Sequence, residues 1–180
     1  KVLVLSNGAY GKRLVKTLKA IGRDYLLLDK GDFLPPRGNE VDIILQKNPG
    51  VTHVVVVHCE TSSGILNPIK EISEVCVKHH KILILDTMSS LGALPLEAAD
   101  LYYDVCVSSA NKCLEGVPGF GFILVRKELL ARCAGNAPSL SLDAYDQWRG
   151  FEKTKRWRFT PPTHTVVAFA KASEQYEKEG

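Results

Sequence analysis

The sequence predicts an α/β fold with a mixed, mostly parallel sheet and helices on both of its faces. Short aliphatic or β-branched runs alternate with segments whose apolar residues recur at helical spacing, as strands and helices do when they follow one another in turn. The run His53–His58 contains four consecutive valines and is typical of a strand that is buried on both faces. Together these observations favour a parallel sheet between two layers of helices.

The sheet is predicted to be mixed because of the segment Ser109–Phe120. This segment has no helical pattern and offers only about ten residues, which is marginal for a crossover between parallel strands. We therefore expect the flanking strands, Asp104–Ser108 and Gly121–Val125, to pair antiparallel.

The remaining elements follow from turn residues and apolar spacing. Leu14, Val15 and Leu18 recur at the spacing of an amphipathic helix, and Pro68 suits the first position of another helix. Glycine and proline mark the loops, including Gly31–Asn39. In order, the other predicted elements are the strand Val2–Leu5, the helix Tyr10–Ile21, the strand Tyr25–Leu28, the helix Glu40–Lys47, the helix Pro68–His79 and the strand Lys81–Leu85.

Composition narrows the class of protein. The 180 residues fit one domain, 45% are hydrophobic, and the net charge of +3 is spread over interleaved lysines and acids. This excludes the basic stripe of a nucleic-acid or membrane-surface protein, and no apolar run approaches the roughly 20 residues of a membrane span. The five cysteines form no Cys-x-x-Cys pair, so we expect reduced thiols in a cytoplasmic protein.

Both ends of the chain are expected to be cuts through a larger protein. The sequence lacks an initiator methionine, begins within a strand pattern and ends within a helical one.

Chemically useful residues follow four of the predicted strands. Because ligands of open α/β sheets bind outside the carboxyl ends of the strands, these residues are expected to converge. They are the ring of Tyr10, the hydroxyl cluster at Thr61, the carboxylate of Asp86 and the amine of Lys112. Pyridoxal phosphate needs such a set, with a lysine for a Schiff base, an acid for its pyridine nitrogen and a ring for stacking. Taken singly, however, the Asp is also a common turn residue, the Lys a solvated residue and the Tyr a core residue.

The sequence closely resembles the 2-aminoethylphosphonate–pyruvate transaminases. These belong to the alanine–glyoxylate/serine–pyruvate aminotransferase branch of the fold type I pyridoxal-phosphate enzymes. Ala-Asn-Lys-Cys at 110–113 and Tyr-Asp-Gln-Trp-Arg at 145–149 look specific to the phosphonate subgroup. The matching segments are Ser6–Arg13, His58–Pro68, Leu85–Ser90, Ser108–Phe122, Ser139–Arg149 and Trp157–His164.

The resemblance implies a role for each of seven residues. Lys112 would be the Schiff-base lysine and proton shuttle, and Asp86 the partner of the pyridinium nitrogen. Tyr10 would stack on one face of the cofactor ring and Met88 would pack against the other. The resemblance also implies a cofactor contact for the Thr61 hydroxyl. Contacts with the cofactor phosphate are implied for Asn111 and, across a homodimer interface, for Thr160.

By the same resemblance, residues 1–180 would be part of the cofactor-binding large domain of the aspartate aminotransferase-like fold. The glycine-rich phosphate loop would lie before Lys1, and the small domain with the substrate-binding arginine would lie after Gly180. The expected reaction moves the amino group of 2-aminoethylphosphonate to pyruvate. Two alternatives stay open, an alanine or serine aminotransferase acting with glyoxylate, and a non-catalytic α/β module that acts through dimerisation.

Several other features are interpreted as structural. His79-His80 lies at a helix end, where a cation complements the helix dipole. His58-Cys59 lacks a second pair at zinc-ligand spacing, and His58 is a candidate hydrogen-bond partner of Asp86. Gly116–Gly121 is interpreted as the tight turn into the last strand. Packing roles near a subunit interface are expected for Trp148 and Trp157.

Overall fold

The computed structural model describes residues 1–96 and 101–179. In chain order the elements are β1 (Val2–Ser6), α1 (Ala9–Ala20), β2 (Tyr25–Asp29), α2 (Gly38–Lys47), β3 (His53–Val57), β4 (Cys59–Glu60), β5 (Ile65–Leu66), α3 (Ile69–Lys78), β6 (Ile82–Asp86), β7 (Val105–Ser109), β8 (Gly121–Val125), α4 (Lys127–Leu130), α5 (Ala144–Thr154) and α6 (Thr163–Glu179).

Six of these strands form one sheet in the order β2-β1-β3-β6-β7-β8. The first five are parallel to one another, and β8 pairs antiparallel with β7. The mixed, mostly parallel sheet predicted from the sequence is therefore confirmed, including its antiparallel last strand. The short connection between β7 and β8 suits this pairing because a parallel strand would need a longer crossover.

Helices cover both faces of the sheet because successive side chains of a strand point to opposite faces. On one face, α1 packs through Val15 against Val4 and Val55. On the other face, Leu45 of α2 and Ile72 of α3 belong to a second core cluster with the alternate residues of the same strands. The valines of β3 are thus shared between two layers, which explains why all four are buried.

The segment predicted as the loop Cys59–Asn67 contains a small hairpin, in which β4 and β5 pair antiparallel over two residues each. Gly64 in its turn has a φ of 70°, a conformation that glycine adopts without strain. The Gly64 N–H donates to the carbonyl of Glu60 at 2.8 Å. Strands of two residues are too short to produce an alternating pattern, so the sequence did not reveal them.

The structure also bears on two features considered from composition, namely membrane-spanning helices and the cysteines. Within the described ranges, no helix has the length and apolar character needed to cross a membrane. The five cysteines are free thiols. Burial raises the pKa of Cys76 to about 12, so this thiol is a core residue of low reactivity.

The layer formed by α3 makes a testable contribution to stability. The Ile72 side chain is 0% exposed, so Ile72→Ala should lower the free energy of unfolding by about 2–5 kcal/mol. Val77 lies on the same helix and is 48% exposed, and Val77→Ala should cost less than about 1 kcal/mol. Urea denaturation followed by circular dichroism measures both values. Equal losses for the two variants would contradict the assigned packing of α3.

Candidate active site

The carboxyl ends of β1, β3, β6 and β7 lie side by side, and the segments that follow them surround one cavity of about 690 Å³. Ligands of open α/β sheets bind at this edge. Five of the seven residues predicted from the sequence line the cavity, namely Tyr10, Thr61, Asp86, Met88 and Lys112. Residues that are far apart in the sequence are therefore brought together at the predicted place.

The other two predicted residues do not line this cavity. Asn111 precedes Lys112 and is exposed, and Thr160 is exposed in the segment between α5 and α6. Their assignment to contacts with a cofactor phosphate therefore stays a prediction.

Asp86 is the last residue of β6 and is partly buried. One carboxylate oxygen accepts the N–H of Met88 at 3.0 Å. Burial raises the pKa of Asp86, the Met88 hydrogen bond opposes this change, the charge of Glu60 adds to it and the charge of Arg13 opposes it. A cation inside the cavity would therefore stabilise the ionised form of this carboxyl.

Lys112 lies in the turn between β7 and β8, and its side chain is exposed at the cavity. The N–H of Gly116 donates to the carbonyl of Ala110 at 2.7 Å, and that of Glu115 to the carbonyl of Lys112 at 2.9 Å. A Cβ atom at Gly116 would lie 2.6 Å from the Ala110 carbonyl oxygen and 2.8 Å from the Phe169 ring. Glycine is thus needed where the turn packs against α6. The hydrogen-bonded turn therefore lies at Ala110–Gly116, whereas the segment Gly116–Gly121, predicted to be the tight turn, only bends at Pro118 and Gly119 before β8.

Tyr10 and Thr61 come from two segments that are bonded to each other. The side chains of Asn7 and Asn67 are buried and exchange two hydrogen bonds of 2.9 and 3.2 Å. This amide pair attaches the end of β1, which leads into Tyr10, to the hairpin that carries Thr61. The hairpin residue Glu60 also contacts the start of α1. The role of Glu60 could not be predicted from the sequence, because a cap supplied from a distant segment leaves no local motif.

Arg13 was also missed from the sequence. It lies one helical turn after Tyr10, lines the same cavity and holds its guanidinium carbon 4.6 Å from the centre of the Tyr10 ring. The spacing of three residues on a helix was the available signal, since it places both side chains on one face. Cys113, next to Lys112, lines the cavity as well, and its thiol donates to the carbonyl of Ser89 at 3.3 Å.

His58 contacts Asp86 in a different way from the one expected. Its backbone N–H donates to the Asp86 carbonyl at 2.8 Å, while its Nδ1 lies 3.0 Å from the hydroxyl of Ser90. The side chains of His58 and Ser90 are both buried, and each satisfies the other's hydrogen bond. Burial also lowers the pKa of His58. Throughout residues 1–96 and 101–179, no cluster of three potential metal ligands is present.

The remaining structural assignments concern the surface of the fold. His79 ends α3, as expected, and its Nε2 contacts the carboxylate of Asp42 on α2 at 2.5 Å. Trp148 packs edge-on against Tyr145, and Trp157 lies 5.1 Å from the Phe151 ring, centre to centre. The packing roles are thus confirmed, and a subunit interface at these tryptophans stays a prediction.

Comparison with known proteins identifies the family. Residues 39–180 match the model of the aminotransferase class-V family. The 2-aminoethylphosphonate–pyruvate transaminase of Rhizobium meliloti (strain 1021) is 56% identical over 180 residues, which is 100% of this chain and 47% of that protein. The 2-aminoethylphosphonate–pyruvate transaminase 1 of Paraburkholderia xenovorans (strain LB400) is 55% identical over 178 residues, or 99% and 46% of the two chains.

Solved structures agree with this result. The pyridoxamine–pyruvate aminotransferase of Mesorhizobium loti matches with a TM-score of 0.89 and 29% identity, covering 99% of this chain and 46% of that one. The alanine–glyoxylate aminotransferase of Nostoc sp., at 22% identity and a TM-score of 0.87 over 99% and 48%, shares the fold. The chain spans about half the length of the curated relatives it matches. It belongs to the aminotransferase class-V family.

Proposed function

We propose that this chain is part of the cofactor-binding domain of a pyridoxal-phosphate transaminase. The proposed reaction moves the amino group of 2-aminoethylphosphonate to pyruvate and gives phosphonoacetaldehyde and L-alanine. The observation that carries the proposal is the convergence of Lys112 and Asp86 in one cavity with Tyr10 and Met88. The 56% identity to a transaminase of this name supports the choice of substrates.

The residues of the cavity fit pyridoxal phosphate. The cavity volume of about 690 Å³ is within the range of small-molecule sites. Burial raises the pKa of Asp86, and a protonated pyridine nitrogen beside this carboxyl would favour its ionised form. When bound, pyridoxal phosphate supplies a ring that withdraws electrons from the carbon that loses a proton.

Each of the five predicted residues that line the cavity has a defined task in this proposal. Lys112 would hold the cofactor through its amine and, when that amine is free, would carry a proton as a base and then as an acid. Asp86 would keep a proton on the ring nitrogen. Tyr10 and Met88 would pack against the ring, and the Thr61 hydroxyl would contact the cofactor.

The proposal includes features that lie outside this cavity. Asn111 would contact the cofactor phosphate, and Thr160 would reach the phosphate held by a neighbouring subunit, so the working form would be a homodimer. A cytoplasmic location is supported by the five free thiols, because cysteines in oxidising compartments are usually paired. The substrates are small molecules, namely an amino donor and a 2-oxo acid.

The covalent role of Lys112 can be tested directly. Pyridoxal phosphate added to the full-length protein and reduced with borohydride should label Lys112, as located by mass spectrometry of the peptides. Lys112→Arg keeps the charge but lacks a nucleophilic amine, so labelling should vanish and activity should fall by at least about a thousandfold. The exposed Lys70 offers a control, and Lys70→Arg should change neither value. Absence of labelling in the unaltered protein would favour the non-catalytic dimerisation module.

Asp86→Asn should weaken cofactor binding without lowering the stability of the cofactor-free protein. Because the pKa of Asp86 is raised in the folded state, the stability of the cofactor-free protein falls as pH rises from the ordinary carboxyl pKa through the folded one. The asparagine removes this loss and still accepts the Met88 N–H. We expect the cofactor-free variant to be at least as stable at neutral pH and to bind cofactor about tenfold more weakly or worse.

Thermal midpoints from about pH 4 to about pH 8, with a cofactor titration at neutral pH, measure both effects of Asp86→Asn. Identical pH profiles together with equal cofactor affinity would contradict the assigned role of Asp86.

Substrate choice separates the proposed reaction from its nearest relative. The value of kcat/KM for 2-aminoethylphosphonate with pyruvate should exceed that for alanine or serine with glyoxylate by about a hundredfold or more, since a site shaped for a phosphonate leaves polar groups unpaired with other donors. Steady-state kinetics of the full-length protein measure the ratio. A ratio below one would favour the alanine or serine aminotransferase.

A further inference from the structure

We infer that Glu60 is a positioning residue that fixes Tyr10 and Thr61 relative to each other at the cofactor ring. The inference rests on the proposed function, because Tyr10 and Thr61 matter in this way only if the cavity holds a flat cofactor. Glu60 itself does not line the cavity. It acts through the first turn of α1 and through the turn of the hairpin.

The Glu60 carboxylate is 0% exposed and is bonded on both oxygens. Its Oε1 accepts the N–H of Tyr10 at 3.2 Å, and also the N–H and hydroxyl of Ser62 at 3.3 and 2.7 Å. Its Oε2 accepts the N–H of Gly11 at 3.0 Å. The Ser62 hydroxyl oxygen in turn accepts the N–H of Ala9 at 2.8 Å. Three successive N–H groups of α1 are thus bonded to two side chains of the hairpin.

The hairpin supplies this cap because a capping side chain at Gly8, just before α1, would collide with the side chains of the hairpin. The helix starts after Gly8, which has no side chain to accept these N–H groups. A Cβ atom at Gly8 would lie 2.4 Å from the Ser62 hydroxyl oxygen and 2.5 Å from Cγ of Glu60. Serine, threonine or aspartate therefore cannot stand at this position, and the caps at positions 60 and 62 replace them.

The charge of Glu60 suits its position for two reasons. A carboxylate at a helix N-terminus is stabilised by the helix dipole and by the N–H groups that it accepts. Full hydrogen bonding also offsets the cost of burying a charged group. Because Glu60 and Ser62 occupy the start of α1, a cofactor phosphate cannot use these N–H groups.

The cap is directly connected to the cavity. Glu60 accepts the N–H of Tyr10, whose ring lines the cavity, and it immediately precedes Thr61, which lines the cavity as well. A shift of the first turn of α1 against the hairpin would therefore move the proposed stacking ring relative to the proposed hydroxyl contact. In the absence of the Glu60 carboxylate, four hydrogen-bond donors would have to find other acceptors at this junction.

The chain offers a second carboxylate cap at α2 as a control, with a side chain that is 49% exposed. Glu71 of α3 accepts the N–H of Gly38, the first residue of α2, at 3.2 Å. It is thus a second carboxylate that caps a helix from another segment, and neither residue lines the cavity. A purely structural effect of losing such a cap should appear for both glutamates, whereas a positioning effect should appear for Glu60 alone.

The experiment titrates pyridoxal phosphate into the full-length protein and its variants Glu60→Gln, Glu60→Asp and Glu71→Gln. Three quantities are measured, namely the dissociation constant of the cofactor, the circular dichroism induced in its visible band per bound molecule, and the thermal midpoint without cofactor. The induced signal reports how the ring is held, so a simple loss of folded protein does not change it once it is normalised to bound cofactor.

We expect Glu60→Gln to raise the dissociation constant about tenfold and to reduce the induced signal per bound cofactor. Glu60→Asp keeps the charge, so the dissociation constant and the induced signal should change less than in Glu60→Gln. Glu71→Gln should leave both at the values of the unaltered protein. If Glu60→Gln does not fold, Glu60→Asp and Ser62→Ala provide the same comparison, with smaller changes in the same direction.

Two results would overturn the inference. One is an unchanged induced signal and dissociation constant in the Glu60 variants, and the other is an equal change in Glu71→Gln. Failure of the unaltered protein to be labelled at Lys112 would instead contradict the proposed function, and this inference with it. Labelling of Lys112 together with unchanged Glu60 variants would contradict this inference alone.

Discussion

The arrangement of charged groups at the cavity depends on the free energy needed to ionise Asp86 at the end of a buried strand. Asp86 ends β6 where burial raises its pKa, and the single N–H of Met88 offsets the burial only in part. Glu60 adds a second negative charge nearby, whose effect on Asp86 is again unfavourable. The two carboxyl groups at this edge of the sheet therefore favour positive charge in the cavity that Asp86 lines. Arg13 supplies part of this charge, and a cationic ring bound beside Asp86 would supply more.

The sheet topology explains why these groups meet at all. β1, β3, β6 and β7 are adjacent and parallel, so the segments after them leave from the same edge. Each contributes one kind of group, because the buried parts of these strands are almost entirely aliphatic and polar chemistry begins only where they end. The turn after β7 differs from the others, since the chain reverses there into β8 instead of crossing over. That reversal keeps Lys112 at the edge.

The strands of the sheet could be predicted from the sequence because burial on two faces demands continuous aliphatic runs, as in His53–Val57. The strand ends then indicated Asp86 and Lys112 as candidates, and the family resemblance supplied their roles. Glu60 could not be found in this way, because its partners lie about fifty residues earlier and nothing in the local sequence distinguishes it from a solvated acid. α5 was missed although Asp143 caps it, accepting the N–H of Asp146 at 3.0 Å. Tyr145, Trp148 and Phe151 also recur at helical spacing within it, so the sequence did carry a helical signal here.

The shared cap between the hairpin and α1 has a consequence for the order of folding. The N–H groups of Ala9, Tyr10 and Gly11 find their acceptors 49 to 53 residues later in the chain, so the first turn of α1 cannot be completed by local interactions. During synthesis, this turn must wait until β3 has emerged and the hairpin has closed beside it. The cap of α1 is therefore a long-range contact that forms only when the hairpin packs beside the helix.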